Sequence, residues 1–273
     1  MNWIKKNQST ITLVLIFLVG LSLLLYPSFS DYWNSFHQSR AIANYAETVA
    51  GIDDNKYQEM WQAARQYNKS LRLKEDRWIL TEEEMQEYNS ILDIGGTGIM
   101  GYIEIPNINV SLPIYHGVDE AVLQIAIGHL SGSSLPVGGE GTHCVISGHR
   151  GLPSAKLFTN LDKLREGDLF MMRVLDGTFT YEVDQIRIVE PNDLATLEIE
   201  EDSDLCTLVT CTPYAINSHR LLVRGHRVGN IEVNSIRVIA DAQQLDSALV
   251  APLYAAPILI LLLIGVFVKY RKK

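Results

Sequence analysis

Cysteine is scarce in this sequence, and its cysteines are not spaced as metal ligands. There are three in 273 residues, Cys144, Cys206 and Cys211, with no CxxC pair, and no two histidines show the HxxxH spacing. Zinc sites usually contain such close pairs, so a zinc protein is disfavoured and we expect neither a metal nor another cofactor. Because three is an odd number, an exported chain would carry an unpaired thiol or an intermolecular disulfide bond.

Internal repeats and low-complexity tracts are also absent. A chain of 273 residues can bury one sizeable core, and nothing in the sequence divides it. We therefore predict one folded domain with membrane attachments.

Acidic residues are missing from both ends of the chain, where two apolar blocks occur. Residues 11–25 follow two lysines, and residues 248–268 precede four basic residues. About 20 apolar residues cross a bilayer, so each block is predicted to span the membrane, although a cleaved signal peptide has the same layout as the first. The basic outer flanks place both termini in the cytoplasm and the middle of the chain outside the cell.

Positive charge is scarce between the two blocks. Six of the 23 Lys and Arg residues lie at the termini while all 32 Asp and Glu residues lie between, which leaves the middle segment with a net charge of −15. Such a surface disfavours binding to nucleic acid and electrostatic adhesion to anionic lipid.

The segment before Gly95 has the pattern of helices. Apolar residues at helical spacing predict one or two helices from Asp31 to about Leu71. Thr81, with Glu84 three residues later, predicts the capped start of a short acidic helix.

From Gly95 onward, short alternating strands are separated by turn residues. This spacing predicts a mainly β domain, an antiparallel barrel with few helices. The candidate strands are Ile99–Ile105, Val110–Tyr115, Thr142–Ser147, Leu169–Val174, Thr178–Val189, Asp204–Thr210, His219–Arg224 and Ile231–Ala240.

Cys211 ends one of these strands, and the chain resumes as a strand after Pro213. A thiol at a strand end can be held rigidly and still face a cleft, whereas many free cysteines are simply small buried hydrophobic residues. The residues alone leave both interpretations open. Cys206 has the opposite parity, so it should face away from Cys211, and we interpret Cys206 and Cys144 as core residues, with a disulfide between them as the alternative.

His149 differs from the other six histidines in its setting. It lies in Ser147-Gly-His-Arg-Gly151, a glycine-flanked turn directly after a strand, which can present an imidazole at a surface. The other histidines are predicted to be structural or exposed. Arg220 and Arg224 share one face of their strand, and spacing alone does not separate them.

Thr207-Leu-Val-Thr-Cys211, followed nine residues later by Arg220, resembles the active-site signature of the sortases, the cysteine transpeptidases of Gram-positive cell surfaces. Its form is most similar to the class C, or pilin-polymerising, branch. The stretch from Gly101 to Gly117 resembles the opening strands of the sortase barrel, and the His149 turn resembles the sortase histidine loop. The resemblance implies an eight-stranded sortase-type β barrel, with N-terminal helices and a lid segment, flanked by the two membrane helices.

The resemblance also implies the catalytic roles. Cys211 would attack the Thr carbonyl of an LPXTG-like sorting signal, His149 would act as general acid and base, and Arg220 would stabilise the substrate or the developing oxyanion. An amine would then resolve the thioacyl enzyme. In class C enzymes this amine is a pilin lysine, so the implied partners are pilins or surface proteins that carry a sorting signal.

Class C sortases resemble one another in a lid with an Asp-Pro-aromatic motif. Asp76, Arg77 and Trp78 occupy the corresponding position, with arginine in place of proline. The resemblance implies that Asp76 pairs with Arg220 and that Trp78 covers Cys211.

Two other functions fit the same residues. A housekeeping sortase would attach surface proteins to a peptidoglycan precursor, and a non-catalytic membrane-tethered barrel would only bind surface proteins. The predicted boundaries are 1–27 for the N-terminal tail and anchor, 28–94 for the helical region with the lid, 95–240 for the catalytic barrel, and 241–273 for the second span and basic tail. The predicted location is the cell membrane, with the catalytic domain on the outer face.

Overall fold

The structure is a computed structural model that describes residues 7–230 and, in the C-terminal part, positions 256, 257, 259, 260 and 264, which are helical. The predicted strand Ile231–Ala240 and most of the second apolar block lie outside the described residues, as do the lysines before the first block. The helices are α1 (Gln8–Ala50), α2 (Asp54–Leu71), α3 (Glu82–Ser90) and α4 (Glu120–Leu123), with short 3-10 turns at Pro106–Ile108, Leu161–Lys163 and Ala195–Leu197.

The first apolar block is part of one long helix. Helix α1 has 43 residues and contains Pro27, so the predicted span and the first predicted helix after it are continuous, and the boundary expected after residue 27 falls inside α1. Within the described residues, α1 is the one helix long and apolar enough to cross a membrane. The predicted cap of α3 is confirmed, because the Thr81 hydroxyl accepts from the Glu84 amide while the Glu84 carboxylate accepts from the Thr81 amide.

Eight strands close into a barrel, as expected. They are β1 (Ile99–Ile105), β2 (Val110–His116), β3 (Ile127–His129), β4 (Thr142–Ser147), β5 (Leu169–Val174), β6 (Gly177–Val189), β7 (Asp204–Thr212) and β8 (His219–Val228). The order around the barrel is β1-β2-β3-β4-β7-β8-β6-β5.

The prediction of a wholly antiparallel barrel was wrong. Strands β2 and β3 run parallel, as do β4 and β7, while the other neighbours are antiparallel. Parallel neighbours require a crossover connection rather than a hairpin. Here α4 lies between β2 and β3, and the β5–β6 hairpin lies between β4 and β7. Strand β3 was not predicted.

The barrel has an apolar interior and a smaller apolar patch on its outside. Large side chains such as Phe170, Tyr181 and Leu208 fill the interior. We call the outer patch the outer apolar cluster. Its members are Trp78, Leu130, Val145, Val189, Leu194, Leu197, Val209 and Leu222.

Strands β4 and β7 alternate between these two apolar regions. Cys144 and Cys206 are register partners, and both lie buried in the interior core, which confirms that Cys206 faces away from Cys211. All three cysteines are free thiols, so Cys144 and Cys206 do not form the disulfide bond that was the alternative.

Candidate active site

Cys211 is the penultimate residue of β7, and its side chain is on the outer side of the barrel. It shares its strand face with Val209 of the outer apolar cluster, and its side chain is partly exposed. Its register partner on β8 is Arg220. A strand paired on both edges fixes the thiol, while the chain leaves the sheet one residue later and opens space beside it.

His149 is brought to the same level by the parallel pairing of β4 with β7. Ser147 is in register with Val209, and the ladder continues because the Gly148 amide donates to the Val209 carbonyl at 3.0 Å and the Thr210 hydroxyl donates to the Gly148 carbonyl at 2.7 Å. Continued by one residue on each strand, this register pairs His149 with Cys211. Only glycine suits position 148, since a Cβ there would lie 2.7 Å from the ring of Phe158.

The His149 imidazole points to a carboxylate that the sequence did not single out. Its Nε2 atom is buried without a hydrogen bond and lies 3.7 Å from a carboxylate oxygen of Glu120, at the start of α4. The other carboxylate oxygen of Glu120 accepts from the Gln124 amide one helical turn later. Glu120 follows an Asp N-cap, and in the sequence it resembles any other acidic residue in a first helical turn.

The structure separates the two arginines that spacing left equivalent. The Arg224 guanidinium is engaged by Asp184 at 3.0 Å and by Glu200 at 3.2 Å. In contrast, Arg220 donates only to the carbonyls of Asn217 and His219, at 3.3 and 3.2 Å, and no carboxylate pairs with it among the residues described. Arg220 is the register partner of Cys211, so its other donors are available to a carbonyl or oxyanion on this face.

Comparison with known proteins gives a consistent result. The Sortase domain model matches residues 103–228, which include Cys211, His149 and Arg220. The crystal structure of sortase C1 from Streptococcus agalactiae is 54% identical in sequence, with a TM-score of 0.69, and the match covers 70% of this chain and 100% of that chain. The chain belongs to the sortase family.

Two further sortases show how much of the chain is similar to known proteins. An X-ray structure of Clostridium perfringens sortase C with the C-terminal cell wall sorting motif is 40% identical, with a TM-score of 0.63, and covers 70% of this sortase and 100% of that chain. Sortase D of Bacillus subtilis is 32% identical over 131 residues, which are 47% of this chain and 63% of the relative, so the match leaves out more than a third of that protein.

The predicted lid segment of this sortase lies on the outer apolar cluster. Trp78 packs there in a partly buried position, whereas Asp76 is exposed. The implied pairing of Asp76 with Arg220 is not found among the ion pairs and hydrogen bonds of the described residues. Trp78 packs against the same cluster as Val209, which is two residues before Cys211 on the same strand face, and its covering of the thiol remains a prediction.

Arg77, the residue in place of proline, anchors the lid instead. Its guanidinium donates to the Gly132 carbonyl at 2.9 Å and to the Leu197 carbonyl at 2.7 Å, and it stacks 4.1 Å from the centre of the Trp78 ring. Gly132 permits this approach, because it has a φ of +87° and a Cβ would lie 2.3 Å from the Arg77 carbonyl. The predicted lid segment is therefore held by a buried guanidinium, which contacts two loops of the barrel.

The buried histidines have structural partners, as predicted. His143 donates from Nδ1 to the Glu198 carbonyl at 2.8 Å and accepts at Nε2 from the Thr207 hydroxyl at 2.7 Å, an arrangement that suits the neutral ring. Burial lowers the pKa of His143. The His129 Nδ1 atom forms a hydrogen bond with the Tyr88 hydroxyl at 2.9 Å.

Proposed function

We propose that this sortase is a class C transpeptidase that cleaves an LPXTG-like sorting signal between Thr and Gly and joins the Thr carboxyl to a lysine of another pilin subunit. The observation that supports this proposal is the convergence of Cys211, His149 and Arg220 at one edge of the barrel, from β7, the end of β4 and β8. The similarity to sortase C structures, one of which contains a cell wall sorting motif, supports the class and the substrate.

The first half of the reaction transfers the acyl group to sulfur. The thiolate of Cys211 attacks the Thr carbonyl carbon, and the resulting oxyanion accepts hydrogen bonds from the free donors of Arg220. One such donor contributes about 2.7 to 4 kcal/mol to transition-state stabilisation in enzymes where it has been measured. Protonated His149 then gives its proton to the leaving glycine nitrogen, the C–N bond breaks, and a thioester remains.

The outer apolar cluster provides a place for the residues before the scissile bond. The cluster contains Val209, which is on the same face of β7 as Cys211. In this structure the Trp78 side chain packs on the cluster. A leucine and a proline of a sorting signal could bury there in place of the indole ring. The substrate would then displace the lid as it binds.

The proposal includes the cellular location. Helix α1 would anchor the enzyme in the cell membrane of a Gram-positive bacterium, with the barrel outside, and the second apolar block would form a second span. Acceptor pilins would then meet the enzyme on the extracellular face of the cell membrane.

Mass spectrometry of cell-surface polymers tests the proposed function directly. Cells that express the wild-type enzyme should contain isopeptide bonds between a pilin lysine and the Thr of a second subunit, and cells with Cys211→Ala should contain none. Linkage of the Thr only to peptidoglycan peptides would instead identify a housekeeping sortase.

A further inference from the structure

A cavity of about 360 Å³ lies between α1 and the loop that follows His149. Pro27, Ser28 and Asp31 form its α1 side, while Leu152 and Tyr214 belong to the two loops opposite. Cavities of this size with mostly apolar walls and a few polar groups are typical ligand sites.

Two residues in the cavity wall follow the reacting groups closely in the chain. Gly151 is two residues after His149, and Tyr214 is three residues after Cys211. These two loops touch, since a Cβ at Gly151 would lie 2.8 Å from the Tyr214 ring. A molecule bound in the cavity would therefore be close to both the imidazole and the thioester.

The chemistry requires a site on this side of the thiol. If the acyl part of the substrate lies over the outer apolar cluster, the group attached to nitrogen must extend the other way from Cys211. The incoming amine forms its bond to the same carbonyl carbon that the leaving amine vacated, so it approaches from the same direction. His149, which exchanges a proton with both amines, is two residues before Gly151 in the cavity wall.

Helix α1 determines the shape of the cavity through two contacts with the loop. The Asp31 carboxylate accepts from the Lys156 amide at 2.9 Å, and its second oxygen lies 3.6 Å from the Lys156 ammonium. One turn later, the Asn34 amide donates to the Ser154 carbonyl at 2.7 Å. The loop after His149 is thus attached to the helix that carries the predicted membrane span.

We propose that this cavity is the subsite for the acceptor amine and that residues 27–31 of α1 form one of its walls. The inference rests on the proposed function. A neutral lysine amine attacks the thioester carbon, the new C–N bond forms as the C–S bond breaks, and the electron pair returns to the Cys211 thiolate. The proton released from nitrogen passes to His149. Asp31, whose carboxylate also pairs with the Lys156 ammonium, adds negative charge to the wall and favours the ammonium form of the acceptor lysine, which loses one proton to solvent before it attacks.

A substitution that fills the cavity from the α1 side tests this assignment. The full-length enzyme in detergent micelles is given a sorting peptide that ends at the glycine amide, together with either hydroxylamine or a lysine-containing peptide as acceptor. We expect Ser28→Phe to lower the rate of transfer to the lysine peptide by about tenfold, with hydroxylamine transfer changed less than about twofold. Hydroxylamine is small enough to reach the thioester without the cavity.

The matched control is Ser35→Phe, an exposed position on α1 that does not line the cavity. It should leave transfer to both acceptors at the wild-type rate. A second variant, Asp31→Asn, keeps an oxygen that can accept from the Lys156 amide but removes the charge, so it should raise the KM for the lysine peptide without changing hydroxylamine transfer.

The outcomes separate this assignment from the proposed function. If Ser28→Phe forms the thioester normally and transfers it to lysine at the wild-type rate, the cavity is not the acceptor subsite. Equal loss with both acceptors also overturns the assignment, because it would indicate general damage to the site. Absence of any thioester with the wild-type enzyme would instead overturn the proposed function.

Discussion

Arg220 and Arg224 occupy the same face of β8, and their partners determine what each can do. Arg224 is neutralised by two carboxylates and links β8 to neighbouring segments, while Arg220 retains donors for a substrate. Sequence spacing could not separate them, because the difference depends on Asp184 and Glu200, which approach from other parts of the chain.

We therefore expect Arg220→Lys to lower kcat/KM for a sorting peptide by on the order of 100-fold, because a lysine ammonium cannot reproduce the planar set of donors that a guanidinium presents. Arg224→Lys is the matched control and should cost less than about threefold in the same steady-state peptide assay. Equal losses in the two variants would contradict the assignment of Arg220.

The three cysteines should respond differently to substitution. Cys211→Ala should abolish thioester formation and peptide cleavage, since no other free thiol among the described residues reaches the outer face of β7. Cys144→Ala and Cys206→Ala should retain catalysis and lower the melting temperature, because each removes a buried side chain from the core. Intact-mass analysis of the peptide adduct and thermal unfolding measure the two effects, and a Cys211→Ala enzyme that still cleaves would exclude the sortase mechanism.

His143 makes the stability of the fold depend on pH. Burial lowers its pKa, so in the folded state it binds a proton only below the pH at which the unfolded imidazole, with a pKa near 6.5, does so. The unfolded state therefore binds more protons in mildly acidic solution, and stability decreases as the pH falls. Urea unfolding at about pH 7.5 and about pH 5.5 should show this loss, and His143→Gln should reduce it; an unchanged slope in the variant would assign the effect to other groups.

At the scale of elements, the predicted lid segment shows how arginine in place of proline changes the contacts between this segment and the barrel. Proline in an Asp-Pro-aromatic motif would restrict the backbone, whereas Arg77 uses its side chain to hold the loops around Gly132 and Leu197. The sequence singled out this segment but could not reveal its anchoring, because both acceptors are backbone carbonyls distant in the chain.

Removing this anchor should open the lid. We expect Arg77→Ala and Trp78→Ala to increase the rate at which a bulky thiol reagent alkylates Cys211, because each loses contacts that hold the segment on the outer apolar cluster. Asp76→Ala is a control at an exposed neighbouring position and should react at the wild-type rate. Alkylation kinetics followed by mass spectrometry give the answer, and identical rates in all variants would show that the segment does not cover the thiol.

The strands show where local pattern is sufficient. Seven of the observed strands were found from alternation and turn residues, whereas Ile127–His129 is too short to show a period. The parallel pairings were missed for a different reason. Strand direction depends on how connections cross the barrel, and the alternation of side chains is the same in either direction.

At the scale of the whole molecule, α1 connects the predicted membrane span to the loop after His149. The helix continues past the predicted boundary at residue 27, through Pro27 to Ala50, and contacts the loop after His149 on the way. The sequence predicted the span from composition, but this docking depends on Asp31 and Asn34, two ordinary polar residues whose partners lie about 120 positions away in the chain.

Topology can be tested with tags at the two ends. A tag before Lys5 or after Lys273 should resist protease added to intact, wall-stripped cells, while the barrel should be digested, because basic residues flank both apolar blocks on their outer ends. Immunoblotting of each tag measures protection, with detergent-lysed cells as the control. Loss of the C-terminal tag from intact cells would contradict the second span.

The parallel pairing of β4 with β7 also has a consequence for when activity appears. Gly148 and Thr210 meet although they are 62 positions apart in the chain, and the whole β5–β6 hairpin lies between them. Contacts between distant residues tend to form late in folding, since the loop between them must first be closed. Cys211 and His149 therefore come together only as the barrel closes. Until the barrel closes, Cys211 is a free thiol without the imidazole beside it, so peptide cleavage should appear only at the end of folding.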